Sequence, residues 1–284
     1  MILNLDETCQ IDCVFCKRRS EYDSSKKPST LEIFSQISNS QDKLINFTGG
    51  GEPTLNSNLP SFIRFAKKLG KTTILETNAL AFSDVSYLKL LLSCGLDKFR
   101  ITIISHDSEI YDKIVQTSGA FKLLIKALQN LSEVSNKIVT ISLPFTKLNS
   151  SFEHFLEFLD FLKKYKIKKS TSLLFHVFRP SNTSEDIVKY LPNHDVLGKE
   201  MIKIFSYCEQ ENIPFDVSLT TPIPLCKIKG FEKKYFSLST FKTYYDYKSF
   251  FTYLPECSDC LLLDKCLGVS KVYLKIHKFT PEPF

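Results

Sequence analysis

Short apolar segments alternate with longer amphipathic ones over the first two thirds of the chain, and this alternation limits the possible folds more than any other feature. The apolar segments are rich in Ile, Val, Leu, Phe and Thr and have the length of buried strands. Their starts lie roughly 30 to 40 residues apart, the length of one strand–helix–strand unit. We predict strands over residues 2–5, 44–48, 72–76, 99–105, 138–143 and 172–178.

The segments between these strands carry the apolar spacing of helices. In the clearest of them, residues 151–164, Phe152, Phe155 and Leu159 fall on one face and charged residues on the other. Six strand–helix repeats predict a parallel sheet with right-handed crossovers. Eight would close a barrel of about 250 residues, so the six that fit predict an α/β fold, a partial (β/α)6 barrel of the TIM type. Candidate site residues are therefore those that follow each strand.

The strand–helix repeat ends near residue 195. A helix is predicted over residues 195–210, followed by a β-like segment at 214–219, a Pro-rich turn at 221–224 and a group of cysteines. We therefore predict two domains, a partial barrel over residues 1–195 and a small cysteine-rich C-terminal domain over residues 196–284.

The composition is that of an ordinary globular protein, with 43% hydrophobic and 24% charged residues among 284. No uncharged run exceeds eleven residues and the first residues lack the pattern of a signal peptide, so we expect no membrane span and a cytoplasmic location. The net charge is only +6. We expect Lys67, Lys68, Lys71 and the basic stretch 163–169 at solvated helix ends and turns, which makes nucleic-acid binding the lesser interpretation.

Nine cysteines in a chain expected in a reducing compartment indicate metal binding rather than disulfides. Cys9, Cys13 and Cys16 form a C-x3-C-x2-C motif in the loop after the first predicted strand. Three thiolates can hold three irons of a 4Fe–4S cluster and leave the fourth iron open. Zinc sites favour two separated cysteine pairs, and bacterial ferredoxin loops have C-x2-C-x2-C-x3-C, so neither pattern matches.

A glycine-rich segment, Phe47-Thr-Gly-Gly-Gly-Glu-Pro-Thr54, follows the second predicted strand. Glycines permit close approach of the backbone to a ligand, and a carboxylate can accept hydrogen bonds from an ammonium group. Together with the cysteine loop, in which Phe15 is the aromatic residue before the last cysteine, this segment resembles the radical S-adenosylmethionine (SAM) superfamily. Weaker similarities follow the later strands, at Thr77-Asn78, Ser105, Asn149 and Arg179-Pro180.

The resemblance implies that Cys9, Cys13 and Cys16 ligate a 4Fe–4S cluster whose open iron chelates the amino and carboxylate groups of SAM. Reductive cleavage of SAM would then give a 5′-deoxyadenosyl radical that abstracts hydrogen from a substrate. An electron donor such as flavodoxin or ferredoxin would be needed.

Further site residues are implied by the same resemblance. Gly50, Gly51 and Glu52 are expected beside the methionyl amino group of SAM, Phe15 near its adenine, and Asn78 and Ser105 at its ribose or carboxylate. For His106 and His176 a site role competes with simpler interpretations, an exposed loop histidine and a core histidine.

A second group of cysteines, Cys257, Cys260 and Cys266, has the spacing C-x2-C-x5-C, and Cys226 lies upstream. We expect the two remaining cysteines, Cys94 and Cys208, in the core. The arrangement is similar to the auxiliary-cluster extensions called SPASM and twitch domains. Since no further C-x3-C follows Cys266, the shorter form with one 4Fe–4S cluster fits better.

The auxiliary site leaves two alternatives open. Four cysteines also suit a structural zinc ion. If Cys226 is not a ligand, an open iron of the auxiliary cluster would be able to hold substrate.

The expected function is that of a radical SAM oxidoreductase acting on a peptide, like maturases of ribosomally made peptides, or on a small metabolite. Modification of a tRNA base is one alternative, supported only by the basic stretches. A non-catalytic iron–sulfur scaffold is another, and the intact glycine-rich segment argues against it.

Overall fold

The computed structural model describes residues 1–5, 8–16, 28–48, 50–165, 172–180, 182–218, 223–234 and 250–284. Seven strands form one sheet in sequence order, and the helices of the described residues lie between them or follow them. The strands are β1 Ile2–Asn4, β2 Leu44–Thr48, β3 Thr72–Thr77, β4 Lys98–Thr102, β5 Ile138–Phe145, β6 Ser172–Val177 and β7 Phe215–Val217. The helices are α1 Thr30–Asn39, α2 Leu59–Lys68, α3 Val85–Ser93, α4 Ser108–Val115, α5 Ala120–Val134, α6 Phe152–Lys164, α7 Glu185–Tyr190 and α8 His194–Gln210.

Strands β1 to β5 pair in parallel, and so do β6 and β7. All six predicted strands are present, and the α/β architecture that they predicted is confirmed. The count of six was one short, because residues 215–217, assigned from the sequence to the second domain, pair with β6 as a seventh strand. The alternation of Phe215 and Val217 with Asp216 marks a strand, but it does not reveal the partner strand.

The chain divides into two compact units, Met1–Ser142 with Asp160–Thr171, and Leu143–Leu159 with Ser172–Phe284. Each unit is a set of residues that pack mainly against one another, and the units do not correspond to the two predicted domains. The boundary that we place at residue 195 rests on the end of the strand–helix repeat and stays a prediction.

In the first unit the strands present one apolar face and one polar face. Leu75 and Phe99 lie on the buried face and are paired in register. On the other face Glu76 of β3 is paired with Arg100 of β4, and their side chains form an ion pair. Such alternation is the pattern expected when one face of each strand packs against helices.

In the second unit, aromatic side chains form much of the core. Phe175 of β6 stacks on Phe145 of β5 at 5.4 Å between ring centroids, and it also contacts Phe205 of α8 at 5.3 Å. Helix α8 begins after Asn193, whose side chain accepts hydrogen bonds from the backbone of its first turn. Cys208 on its apolar face is fully buried, and Cys94 in the first unit is buried as well, as predicted.

The basic residues near α2 do not all lie in solvent. Lys71 is buried, and its Nζ donates to the backbone oxygens of Ser40 at 2.8 Å and Asp42 at 3.0 Å. The Lys71 ammonium therefore binds the segment between α1 and β2. The expectation that Lys71 is solvated was wrong. Part of the basic stretch 163–169 and part of the predicted turn 221–224 lie outside the described residues. In the described part of the chain, no helix has both the length and the apolar character needed to cross a membrane.

Candidate active site

The first cysteine loop leaves β1 and is fixed to the end of helix α4. The backbone N–H of Asp12 donates to Val115 O at 3.0 Å, and that of Val14 donates to Ile114 O at 2.9 Å. The side chain of Val14 is buried. These contacts anchor the loop through the residues between the cysteines, by backbone hydrogen bonds and apolar packing.

The three thiols of this loop lie in one half-buried group. The N–H of Cys16 donates to Cys13 O at 3.0 Å and closes a tight turn. Burial raises the pKa of Cys13 well above its ordinary value, and neighbouring Cys16 and Cys9 raise it further. Three neighbouring thiols, with the ionised form of the central one disfavoured, are a donor set suited to a cationic, thiophilic partner such as iron.

Glu52 ends the glycine-rich segment and lies at the centre of a hydrogen-bond network. Its side chain is only 3% exposed. Its Oε1 accepts from Thr54 N at 3.1 Å, from Thr54 Oγ1 at 2.7 Å and from Thr77 Oγ1 at 2.6 Å, while Oε2 accepts from Asn78 N at 2.9 Å. Its own N–H donates to Thr8 O at 2.7 Å. The Glu52 carboxylate thus contacts the end of β3, and its backbone N–H connects the segment after β2 with the start of the cysteine loop.

Burial raises the pKa of Glu52 in spite of these four hydrogen bonds. Among the described residues none forms an ion pair with it. A carboxylate offers about four lone-pair positions, and Oε2 has one protein donor. A cationic ligand at Oε2 would therefore compensate a buried negative charge that the described protein groups leave without a counter-charge.

Asn78, at the end of β3, is buried and its amide has protein partners on both sides. Its Oδ1 accepts from Leu80 N at 3.0 Å and from Gln10 Nε2 at 3.2 Å, and its Nδ2 lies 3.7 Å from Cys9 Sγ. The amide therefore contacts the cysteine loop directly. Gln10 did not stand out in the sequence, because its role depends on a residue 68 positions away.

The other predicted SAM contacts lie in the same unit. Ser105 is fully buried, and its Oγ accepts from Asp107 N at 3.0 Å at the start of α4. Phe15, Gly50 and Gly51 are half-buried, as is His106, while Gly49 lies outside the described residues. The predicted contacts of these residues with SAM stay predictions. His176 belongs to the second unit, half-buried in β6.

Tyr111 on α4 is a site residue to which the sequence assigned no role. Its side chain is completely buried, and its hydroxyl has no hydrogen-bond partner within the part of the chain that the structure describes. Burial raises its pKa, with Cys13 the next largest influence. A buried hydroxyl near the cysteine loop adds a polar atom to this site.

The second cysteine group forms a cavity within the second unit. All four predicted ligands, Cys226, Cys257, Cys260 and Cys266, line it. The rest of its wall is largely apolar and comes from the strands β8 Phe251–Thr252 and β9 Val269–Ser270, the loop after Cys260 and the last residues of the chain. The fold thus brings a residue 31 positions upstream of Cys257 to the same cavity, as its thiol chemistry suggested.

Backbone N–H groups point at two of these sulfur atoms. Gly268 N lies 3.3 Å from Cys266 Sγ, which also accepts from the N–H of Leu225. The N–H of Glu282 donates to the sulfur of Cys226. Burial raises the pKa of both thiols, while these hydrogen bonds act in the opposite direction. Such N–H···S bonds stabilise thiolate ligands of a metal centre.

The donor sets of both cysteine groups consist of thiols alone, which suits iron–sulfur clusters. Four cysteines also suit a structural zinc ion, so the second group fits either kind of metal centre.

Comparison with known families decides the identity of the barrel. The family model described as the radical SAM superfamily matches residues 3–159, more than half of the chain. The chain belongs to the radical SAM superfamily. The match begins in β1 and ends in α6, so it includes the cysteine loop, the glycine-rich segment and the end of β3. The family predicted from those motifs is thereby confirmed.

Curated relatives of this radical SAM protein match only part of it. A probable GTP 3′,8-cyclase from Methanococcus aeolicus is 30% identical over 119 residues, which are 39% of this chain and 39% of the relative. A 7,8-dihydro-6-hydroxymethylpterin dimethyltransferase from Methanocaldococcus jannaschii is 30% identical over 105 residues, 34% of this chain and 21% of the relative. The chain thus spans about two fifths or less of the length of these relatives.

Solved structures share the fold of this radical SAM protein over a longer range. Streptococcus suis SuiB bound to its precursor peptide SuiA has a TM-score of 0.60 at 20% identity and covers 76% of this chain and 48% of SuiB. The structure of anSMEcpe with bound AdoMet has a TM-score of 0.57 at 15% identity and covers 75% of this chain and 63% of anSMEcpe. These similarities confirm the predicted partial-barrel fold class.

Proposed function

We propose that this radical SAM protein holds a 4Fe–4S cluster on Cys9, Cys13 and Cys16 and binds SAM at the iron that these thiolates leave open. The observation that carries the proposal is the bond from the backbone N–H of Glu52, whose carboxylate is buried, to Thr8 O at the start of the three-cysteine loop. When bound, the cluster supplies the electron that cleaves SAM to methionine and a 5′-deoxyadenosyl radical, which abstracts hydrogen from the substrate.

The residues of the chain place SAM for this reaction. Glu52 Oε2 would accept from the methionyl ammonium, which provides the missing counter-charge to a buried carboxylate. Gly50 and Gly51 would let the backbone approach the same group. Phe15 would lie near the adenine, and Ser105 at the ribose or carboxylate. Positioning of the sulfonium beside the electron source is the main contribution of the protein.

For the second cysteine group we propose a 4Fe–4S auxiliary cluster ligated by Cys226, Cys257, Cys260 and Cys266. Support comes from the cavity that all four thiols line and from the N–H···S bonds to two of them. With four protein ligands every iron is coordinated. Such a cluster relays electrons or supports the fold rather than binding substrate.

For the substrate we propose a peptide or a small metabolite. SuiB, which shares the fold, is bound to a precursor peptide, and the partial relatives are named for GTP and a pterin. The polar face of the sheet supports a polar substrate, since Asn46 and Thr48 donate to Glu76 beside Arg100. A flavodoxin or ferredoxin would serve as electron donor. Modification of a tRNA base stays an alternative supported only by the basic stretches, to which Lys71 does not contribute because it is buried.

Anaerobic reconstitution tests the proposal. The protein is loaded with iron and sulfide, reduced with dithionite and incubated with SAM, and 5′-deoxyadenosine is quantified. We expect product from the unmodified protein and none from the variant in which Cys9, Cys13 and Cys16 are replaced by Ala, which should keep about half of its iron. Cys208→Ala, which removes a buried core thiol, is the matched control. It should keep the full iron content and still form 5′-deoxyadenosine.

The outcomes separate the alternatives. A fully loaded protein that forms no 5′-deoxyadenosine would support the scaffold function instead. Zinc together with a single cluster's complement of iron would show that the second cysteine group is a zinc site.

A further inference from the structure

The amide of Asn78 is a side-chain donor directed at the first cysteine of the loop. Its Nδ2 lies 3.7 Å from Cys9 Sγ, within range for a hydrogen bond to sulfur. Asn78 is buried, with 8% of its surface exposed, so water competes little for this contact. A hydrogen bond from an amide N–H to a sulfur ligand changes the electron density on that sulfur, and so affects the metal centre that it binds.

The orientation of this amide is fixed by its surroundings. Oδ1 accepts from the backbone N–H of Leu80 at 3.0 Å and from Gln10 Nε2 at 3.2 Å. A flipped amide would direct its NH2 at the N–H of Leu80, where two donors would oppose each other. The backbone N–H of Asn78 is in turn held by Glu52 Oε2 at 2.9 Å. Hydrogen bonds to the side chain and to the backbone of Asn78 therefore both keep its NH2 group directed at Cys9 Sγ.

We infer that Asn78 is a positioning residue whose N–H···S bond to the Cys9 thiolate raises the reduction potential of the proposed N-terminal cluster. The inference rests on the proposed function and gives Asn78 a role other than the SAM contact that its sequence position suggested. A reduced cluster carries one more negative charge than an oxidised one, and its sulfur ligands accept hydrogen bonds more strongly. The bond therefore stabilises the reduced state, the one that delivers the electron to SAM.

An EPR-monitored redox titration of the reconstituted protein tests this role without measuring activity. Asn78→Asp keeps an oxygen for the N–H of Leu80 and places a second oxygen, without a hydrogen, towards Cys9. Asn78→Leu removes both polar atoms. We expect both variants to show a more negative midpoint potential, with the larger shift in Asn78→Asp. At the midpoint potential of the unmodified protein, the ratio of reduced to oxidised cluster should fall roughly threefold or more.

Two controls separate this effect from damage to the fold. The midpoint potential of the auxiliary cluster in the same sample should not move. Gln10→Leu removes the hydrogen bond to Asn78 Oδ1 and the contact of Gln10 Oε1 with Cys9 Sγ at 3.9 Å, in which the sulfur is not the acceptor. The N–H of Leu80 still orients the Asn78 amide towards Cys9, so the shift in this variant should be smaller.

The outcomes are distinct. An unmodified protein that assembles no N-terminal cluster would overturn the proposed function itself. A cluster whose midpoint potential is the same in the unmodified protein, Asn78→Asp and Asn78→Leu would overturn only the role of Asn78. A shift to more positive potentials in Asn78→Leu would overturn that role as well.

Discussion

Gly268 lies between the auxiliary thiol Cys266 and β9, and we predict that Gly268→Ala selectively destroys the auxiliary site. Its φ is +80°, and a Cβ there would lie 2.2 Å from the backbone oxygen of Thr252. Ordinary contact begins near 3.4 Å, so one of the two atoms must move by about 1 Å. Since Thr252 pairs with Val269, that movement opens the β8–β9 ladder and withdraws the Gly268 N–H from Cys266 Sγ.

A matched control isolates the steric part of this effect. Gly230 has a φ of +92°, and a Cβ added to it would meet no atom within 4 Å. A left-handed φ costs a residue with a Cβ about 1–2 kcal/mol, and both variants bear that cost. The overlap and the lost hydrogen bonds should add about 2 kcal/mol or more in Gly268→Ala alone.

The assay is denaturant unfolding under anoxic conditions, together with iron and sulfide analysis. Gly230→Ala should keep the full iron content, whereas Gly268→Ala should lose about half of it and retain the N-terminal cluster. Equal unfolding midpoints and equal iron contents in the two variants would refute the reasoning, because the close approach of Gly268 to Thr252 would then have no energetic consequence.

Three further predictions concern buried charges and follow from single side chains. Glu52→Gln replaces an acceptor oxygen with an NH2 that faces existing donors, so the free energy of unfolding should fall by about 2 kcal/mol or more; an unchanged denaturant midpoint would contradict the network. Burial lowers the pKa of His194 to about 3 from an ordinary 6.5, so its unfolded form binds a proton below pH 6.5 while the folded form does not. The free energy of unfolding should therefore decrease as the pH is lowered below 6.5. Between pH 7 and 5.5 the unmodified protein should lose about 1 kcal/mol more than His194→Gln in chemical unfolding. Lys227, only 3% exposed, pairs with the more exposed carboxylates of Asp195 and Glu282, so Lys227→Met should cost about 2 kcal/mol through the lost charged hydrogen bonds. The exposed Lys229→Met should cost less than about 1 kcal/mol, and equal melting temperatures would contradict the pairing.

The strands were predictable because their pattern is local. Residues 44–48 are bounded as predicted, and the other five strands end within a few residues of their expected positions. Each is a short run of β-branched and aromatic residues, and this pattern can be recognised in the sequence whichever strand the run pairs with. The seventh strand was predicted as a β-like segment over residues 214–219, but three residues with Phe215 and Val217 on one face are too few to reveal the pairing with β6.

The sequence predicts the cysteines of the candidate site but not the contacts that support them. Cys9, Cys13 and Cys16 stand out because thiol chemistry and spacing are written in eight consecutive residues. The contact of Gln10 with Asn78 spans 68 positions and exists only once β1 and β3 lie in one sheet. Lys71 shows the converse error, because a lysine near a helix end is usually solvated, whereas here two backbone oxygens receive its ammonium.

The order of strands explains why three separated motifs serve one site. In a parallel sheet all carboxyl ends lie at one edge, and β1, β2 and β3 are neighbours in sequence order. The cysteine loop, Glu52 and Asn78 follow these strands in turn and are joined by bonds from Glu52 N to Thr8 O and from Asn78 N to Glu52 Oε2. Each of these two bonds has a backbone N–H as its donor, and in the second the Glu52 carboxylate is the acceptor, so this side chain takes part in joining the motifs. The fold therefore fixes the position of the motifs, and the side chains decide what is bound there.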